Sequence, residues 1–158
     1  MTDVVTKFVI RQFTQESRPQ WFAEAMTIRN VVFVGEQAVP PEEEHDSYDE
    51  TALHWLAFTA DTETPVATAR MLPYQEACQM RPVAKVGRVA VIKQYRSTGL
   101  GRLLMEKIIA DAIEEGFEQM ILDSQTRVLP FYQKLGFTAE GDEFLDANIP
   151  HFRMRKML

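Results

Sequence analysis

The stretch from Ala84 to Gly116 constrains this chain more than any other. It opens as a valine-rich strand pattern, AKVGRVAVI (Ala84 to Ile92), and passes through Lys93-Gln94-Tyr95-Arg96-Ser97-Thr98-Gly99-Leu100-Gly101-Arg102 into a long helical pattern. In that helix Leu100, Leu104, Ile108 and Ala112 make one ridge, and Met105, Ile109, Ile113 and Phe117 make the ridge beside it. Arg102, Glu106, Lys107, Asp111, Glu114 and Glu115 fall largely on the other side, so the helix is predicted to pack on a sheet and to stop at Gly116. Within the strand, Gly87 is the expected bulge or point of close backbone approach.

The flanking segments supply the rest of the sheet. Lys7 to Phe13 reads as an opening strand, and Pro19 opens a helix through Trp21, Ala25 and Ile28 that is expected to end before Gly35. Pro40 to Glu50 carries two prolines and a dense acidic run, and reads as a loop. Ala52 to Ala60 is apolar on both faces, a strand well inside a sheet, and Val66 to Leu72 follows it across a turn as a hairpin partner. Beyond the long helix, Gln119 to Ser124 is a strand, Val128 to Leu135 a short helix with Pro130 in its first turn, and Phe137 to Phe144 and Phe152 to Leu158 closing strands. This order predicts an α/β fold with a mixed, mostly antiparallel sheet.

At 158 residues, with 46% apolar and 25% charged residues, the chain reads as one domain spanning 1–158 that can bury a core without staples. Cys78 has no partner within the chain, which fits a reducing compartment and an inert thiol. No apolar run reaches membrane-spanning length, and the first residues lack the layout of a secretory signal, so the expected location is cytoplasmic, away from membranes. A formal net charge of −6 disfavours general nucleic-acid binding but leaves room for one small phosphorylated ligand in a local basic pocket.

The start of the long helix is the place for such a ligand. A helix N-terminus presents backbone N–H groups and partial positive charge. Gly99 and Gly101 remove side chains where a diphosphate would approach, while Arg96, Arg102, Ser97 and Thr98 add charge and hydroxyl donors. A Walker A loop is excluded because Gly101 precedes Arg102 and Leu103, and a dinucleotide fingerprint is excluded because Leu104 stands where a third small residue is needed.

Arg96-Ser97-Thr98-Gly99-Leu100-Gly101 resembles the (Q/R)-x-x-G-x-(G/A) signature of the GCN5-related N-acetyltransferase (GNAT) superfamily, and it sits after a valine-rich strand as that signature does. Ile121 to Ser124 followed by Val128 to Phe137 (VLPFYQKLGF) resembles the second block of the same superfamily. Arg29 to Gln37 and Asp142 to Met154 are similar to the ElaA-like branch, so the resemblance spans nearly the whole chain.

The resemblance implies a central sheet flanked by helices and splayed where acetyl-CoA inserts. Backbone groups of Val89, Ala90 and Val91 would pair with the pantetheine arm, and an amide near Val89 would face the thioester oxyanion. The N–H groups from Arg96 through Ser97, Thr98, Gly99, Leu100 and Gly101 to Arg102 would hold the diphosphate, the Arg96 and Arg102 side chains tuning affinity. Tyr132 is the implied catalytic residue, donating a hydrogen bond to the departing sulfur. The implied reaction is N-acetyl transfer to a small-molecule or peptide amine by direct attack; the alternative is a non-catalytic CoA-binding module. No metal is expected, and the resemblance raises a homodimer through the sheet or the C-terminal strands. The strand before the motif carries Lys85, Gly87 and Arg88 and no glutamate, so the candidate bases lie elsewhere, at Glu36, Glu43, Glu44, His45 and His54. Of these, the acidic loop is expected to be a solvated flap and His54 a satisfied histidine within a strand.

Overall fold

The computed structural model describes residues 7–76 and 81–158, so Cys78 falls outside the described residues. In chain order the elements are β1 (Phe8–Phe13), α1 (Pro19–Arg29) with a π-helical continuation (Asn30–Glu36), α2 (Pro41–Glu44), a 3-10 turn (Ser47–Glu50), β2 (Leu53–Thr59), β3 (Pro65–Tyr74) and β4 (Val83–Val91). There follow a 3-10 turn (Lys93–Tyr95), α3 (Leu100–Glu114), β5 (Gln119–Gln125), a 3-10 turn (Thr126–Val128), α4 (Leu129–Lys134), β6 (Thr138–Asp146) and β7 (Ile149–Met157). The strands form a seven-stranded sheet in the order β1-β2-β3-β4-β5-β7-β6. β1 runs antiparallel to β2 with Phe13 opposite His54, and β7 runs antiparallel to both β5 and β6. β4 and β5 are parallel, which demands a crossover, and α3 is that crossover. The α/β architecture with a mostly antiparallel sheet and flanking helices is therefore the one the residue pattern predicts.

The chain divides into two compact units, Met1–Arg70 with Arg88–Met105 and Met71–Gly87 with Glu106–Leu158. In the first, Phe13, Ala25, Ile28, Val32, Leu56 and Ala90 form one buried apolar cluster against which Trp21, Phe22, Phe33, Phe58 and Ile92 pack. Trp55, Leu56 and Ala57 are fully buried, as the unbroken apolar run of β2 requires of a strand covered on both faces. α1 starts at Pro19, where the missing N–H costs nothing, but it does not end before Gly35. The chain instead widens into π-helix, with the Gln37 N–H donating to the Val32 carbonyl at 3.2 Å. Glycine inside a helix costs about 1 kcal/mol; burying Val32 and covering Phe33 in the cluster offsets it.

β4 departs from expectation in one detail. Nothing lies within 4 Å of a Cβ built on Gly87, so no close approach explains that glycine. The left-handed residue is its neighbour Arg88, at φ 53°. A side chain in that region is held there by its surroundings.

In the second unit β5 buries Met120, Ile121 and Leu122, and β7 buries Met154. α4 ends at Gly136 (φ 94°), the left-handed position that closes many helices. β6 is exposed along most of its length, with Leu145 66% exposed. α3 buries the whole of its first ridge, whereas Ile113 on the second ridge is exposed and Asp111 is buried beneath a Lys107 ammonium at 3.0 Å.

Candidate active site

The segment predicted to hold a diphosphate begins where β4 ends. The Tyr95 N–H donates to the Ile92 carbonyl and the Arg96 N–H to Lys93, which turns the chain sharply after β4. Ser97 (φ 62°) and Gly99 (φ 86°) are both left-handed. Alternating hand in successive residues aims their N–H groups to one side, the arrangement that cups anions. The Thr98 hydroxyl donates back to the Tyr95 carbonyl at 2.5 Å, and the Leu103 N–H to Gly99 at 3.1 Å begins the helix. Leu100 is fully buried and anchors the first turn of α3, while Arg96, Ser97, Thr98, Gly99 and Arg102 are exposed. Of the strand residues, Ala90 is buried in the apolar cluster and Val89 and Val91 are partly covered.

Arg96 is already engaged. Its Nη1 pairs with Glu36 Oε2 at 2.8 Å and its Nε donates to the Val91 carbonyl at 2.9 Å. It ties the end of the π segment and the end of β4 to the loop, so Arg96, whose backbone N–H is also committed to Lys93, fastens the loop's shape. That engagement also takes Glu36, one of the candidate bases.

The acidic stretch is not a solvated flap. Pro41–Glu44 is a helical turn and Ser47–Glu50 a 3-10 turn, and Glu44, Asp46 and Asp49 are ion-paired inward to Arg29, Arg70 and Arg88. Arg29, only 1% exposed, gives Nε to Glu44 Oε1 at 2.5 Å and clasps Asp49 with Nη1 at 2.8 Å and Nη2 at 3.2 Å. Arg70 clasps Asp46 at 2.6 and 2.7 Å and reaches Asp49 at 2.9 Å. Arg88 donates to the Glu44 carbonyl at 3.0 Å and to Asp46 Oδ2 at 3.2 Å. These contacts hold Arg88 in its left-handed conformation.

The electrostatics follow from this packing. The Arg70 hydrogen bonds, outweighing partial burial, hold the Asp46 carboxyl below the usual range. Burial pushes Asp49 upward, but Arg29 and Arg70 together overcome it and its carboxyl is also held low. Arg88, half-buried and facing two other guanidiniums, is held below the ordinary arginine value by that desolvation first. His54 is buried, stacks on Phe13 at 5.4 Å and places Nε2 2.9 Å from the Asp49 carbonyl. Burial lowers its pKa against the opposing pull of Asp49, so it is the satisfied histidine its strand position suggests. The sequence signal for this network is three arginines embedded in apolar elements, Ile28-Arg29, Ala69-Arg70-Met71 and Arg88-Val89, beside a loop with carboxylates to spare. Buried arginines demand partners, and that demand was legible.

In the second unit Tyr132 lies on α4, 8% exposed, with its ring edge-on to Phe131 at 4.9 Å and to Phe137 at 5.8 Å. Its hydroxyl has no hydrogen-bond partner among the described residues, and burial raises its pKa far above the usual phenol value. Such a phenol stays protonated, a donor and never a base. Asp123 on β5 accepts from Arg153 Nε at 2.5 Å, and Lys85 stands 3.4 Å from it. Among the described residues no three His, Cys, Asp or Glu side chains are grouped to hold a metal, and no helix is long and apolar enough to cross a membrane.

A strand delivering a left-handed, glycine-containing turn into the N-terminus of an amphipathic helix, within a mostly antiparallel sheet, defines an acyl-CoA-dependent acyltransferase fold. The chain belongs to the acetyltransferase (GNAT) domain family, whose model matches residues 22–158. It is 37% identical over 135 residues to the uncharacterized N-acetyltransferase YjcF of Bacillus subtilis, a match covering 84% of this chain and 90% of that one. Among solved structures it is similar to Escherichia coli ElaA, with 25% identity, a TM-score of 0.79 and coverage of 95% and 99% of the two chains. An acyl-CoA N-acyltransferase from Pseudomonas aeruginosa gives 26% identity, a TM-score of 0.77 and coverage of 96% and 99%.

Proposed function

We propose that this chain transfers an acetyl group from acetyl-CoA to a primary amine by direct attack, acting as one N-acetyltransferase domain. The family model supports the single-domain reading because it runs through both compact units. The observation that carries the cofactor assignment is the turn from Arg96 to Arg102, with Ser97 and Gly99 both left-handed before α3. That turn suits a diphosphate on the N–H groups of Ser97, Thr98, Gly99, Leu100, Gly101 and Arg102, the Arg96 N–H being committed to the Lys93 carbonyl. The β4–β5 register covers Val83–Val86 against Gln119–Leu122, the first four residues of each strand. Val89, Ala90 and Val91 lie beyond it, which supports assigning their backbone groups to the pantetheine arm, with the Val89 N–H at the thioester oxygen.

Tyr132 takes the role of hydrogen-bond donor to the sulfur as the C–S bond breaks. Its raised pKa favours donation without full proton transfer, since a phenol more basic than a thiolate gives up its proton reluctantly. The transfer site is proposed to be soluble and cytoplasmic, and a second copy of the chain would add along the exposed strand β6.

The test is a thermal-shift and turnover series. Acetyl-CoA should protect the chain more than ATP or NAD does, and a panel of primary amines should release free thiol from acetyl-CoA. Protection by CoA with no thiol release from any amine would replace transfer with binding alone. Better protection by ATP or NAD would remove the cofactor assignment altogether.

A further inference from the structure

Amine acetylation needs a group that takes a proton from the attacking nitrogen, and the turn at Glu44 and His45 is built like one. The Glu44 side chain is 1% exposed, and Oε1 is held by Arg29 at 2.5 Å. Its other oxygen, Oε2, makes no hydrogen bond. The His45 ring stands against it, with Nε2 3.3 Å from Glu44 Oε2 and 3.2 Å from Asn30 Oδ1. Both neighbours of that nitrogen are acceptors, so the ring proton belongs on Nε2 and the lone pair on Nδ1. The His45 side chain is 50% exposed, and Nδ1 has no partner among the described residues. A base oriented through its far nitrogen by an acceptor, here Asn30 Oδ1 with the Glu44 carboxylate beside it, follows the recurring plan of proton-abstracting sites.

We propose that His45 is the general base of the transfer, positioned by Asn30 Oδ1 on its Nε2 with Glu44 packed beside that nitrogen. The inference rests on the acetyltransferase reading above. Its location is set by Arg88, which donates to the Glu44 carbonyl at 3.0 Å and to Asp46 Oδ2 at 3.2 Å, on either side of His45. The residue after Arg88 is Val89, the proposed oxyanion donor, so one side chain ties the base and the carbonyl end of the site together. The charged groups around His45 are Glu44 from α2 and Asp46 beside it, Arg29 from α1 behind Glu44, and Arg70 from β3 and Arg88 from β4 on Asp46. Each carboxylate near the ring is thus already paired with a guanidinium.

His45 Nδ1 takes one proton from the substrate ammonium. The freed lone pair forms the N–C bond at the thioester carbonyl, and the C–S bond then breaks with its electron pair on sulfur. Of the two protons the nitrogen loses overall, one ends on sulfur and the other leaves His45 for solvent.

The test compares wild type, His45→Ala and His45→Gln with acetyl-CoA and three acceptors, spermidine, lysine methyl ester and phenethylamine, between about pH 5.5 and 9. Thiol release should fall roughly 10²- to 10⁴-fold in both variants, and the enzyme's acid limb in the pH profile should disappear. The CoA-induced rise in melting temperature should survive, which shows that the variants are folded and loaded. Added imidazole should restore His45→Ala, a rescue that a packing role would not give. Wild-type turnover in His45→Ala, or a loss with the acid limb intact and no rescue, overturns the assignment. If the wild type itself neither binds CoA nor releases thiol, the acetyltransferase reading falls instead and His45 falls with it.

Discussion

Arg29→Met tests whether the buried arginine network holds the acidic segment in place. Methionine fills most of the volume and removes only the guanidinium. Glu44 Oε1 then keeps only Arg88 Nε, at 3.4 Å, while Oε2 makes no hydrogen bond in either protein. Asp49 keeps Arg70 on Oδ1 at 2.9 Å but loses the partner of Oδ2. Removing one member of a buried ion pair costs about 3–5 kcal/mol, because the charge left behind cannot be hydrated. Asp49 is half rescued and Glu44 is not, so we place the loss at about 4 kcal/mol. For a chain of this length that is a fall of roughly 8–16 °C in melting temperature. Urea unfolding followed by circular dichroism would show it as a lower midpoint with the slope unchanged. Glu44→Gln should be costly in the wild type and much less so beside Arg29→Met, with a coupling of about 2 kcal/mol between the two. A loss under about 1 kcal/mol for Arg29→Met, or additive behaviour of the pair, would refute the reasoning.

Three further outcomes follow from the same geometry. Tyr132→Phe should lower kcat about 10- to 100-fold, the worth of one hydrogen bond to a charged group, with CoA affinity nearly intact; equal kcat in steady-state assays removes Tyr132 from the reaction. Burial holds the folded His54 pKa below the ordinary histidine value of about 6.5, so the unfolded chain binds its proton more readily and stability falls as pH drops below that value. His54→Leu should flatten that dependence, which one group limits to about 1.4 kcal/mol per pH unit, when urea midpoints are compared from neutral to mildly acidic buffer. Leu145→Arg on β6 should shift any dimer to monomer in sedimentation velocity while leaving turnover per chain unchanged; a monomeric wild type would dismiss the β6 interface.

The strands and the long helix were legible because their signals are local. An apolar run such as Leu53–Thr59 or a ridge such as Leu100, Leu104, Ile108 and Ala112 states its own period and its own burial. The phosphate turn was legible for the same reason, since glycine spacing and a following amphipathic helix lie in one short segment. The π continuation of α1 was hidden, because Gly35 locally argues for an end and only tertiary burial of Val32 argues against it. The special backbone position in β4 is one residue beyond the glycine expected to mark it. Gly87 offers freedom, but the left-handed residue is Arg88, whose guanidinium contacts lie more than 40 residues away in sequence.

The acidic segment shows most clearly why composition misleads about a site. Six carboxylates between Glu42 and Glu50 suggest an exposed lure for cationic amines. Folding divides them: Glu42, Glu43 and Glu50 remain exposed, while Glu44, Asp46 and Asp49 face Arg29, Arg70 and Arg88. Three guanidiniums against three carboxylates leave no net charge to attract a substrate from that inner face. What the inner face supplies is rigidity. It fixes Arg88 at φ 53°, sets the backbone of Val89 after it, and leaves the His45 side chain half exposed beside Glu44. A segment that reads as solvated charge in one dimension becomes a frame for the proposed base in three. Acceptor selectivity should accordingly respond far more to His45 and its immediate surroundings than to neutralising Glu42, Glu43 or Glu50.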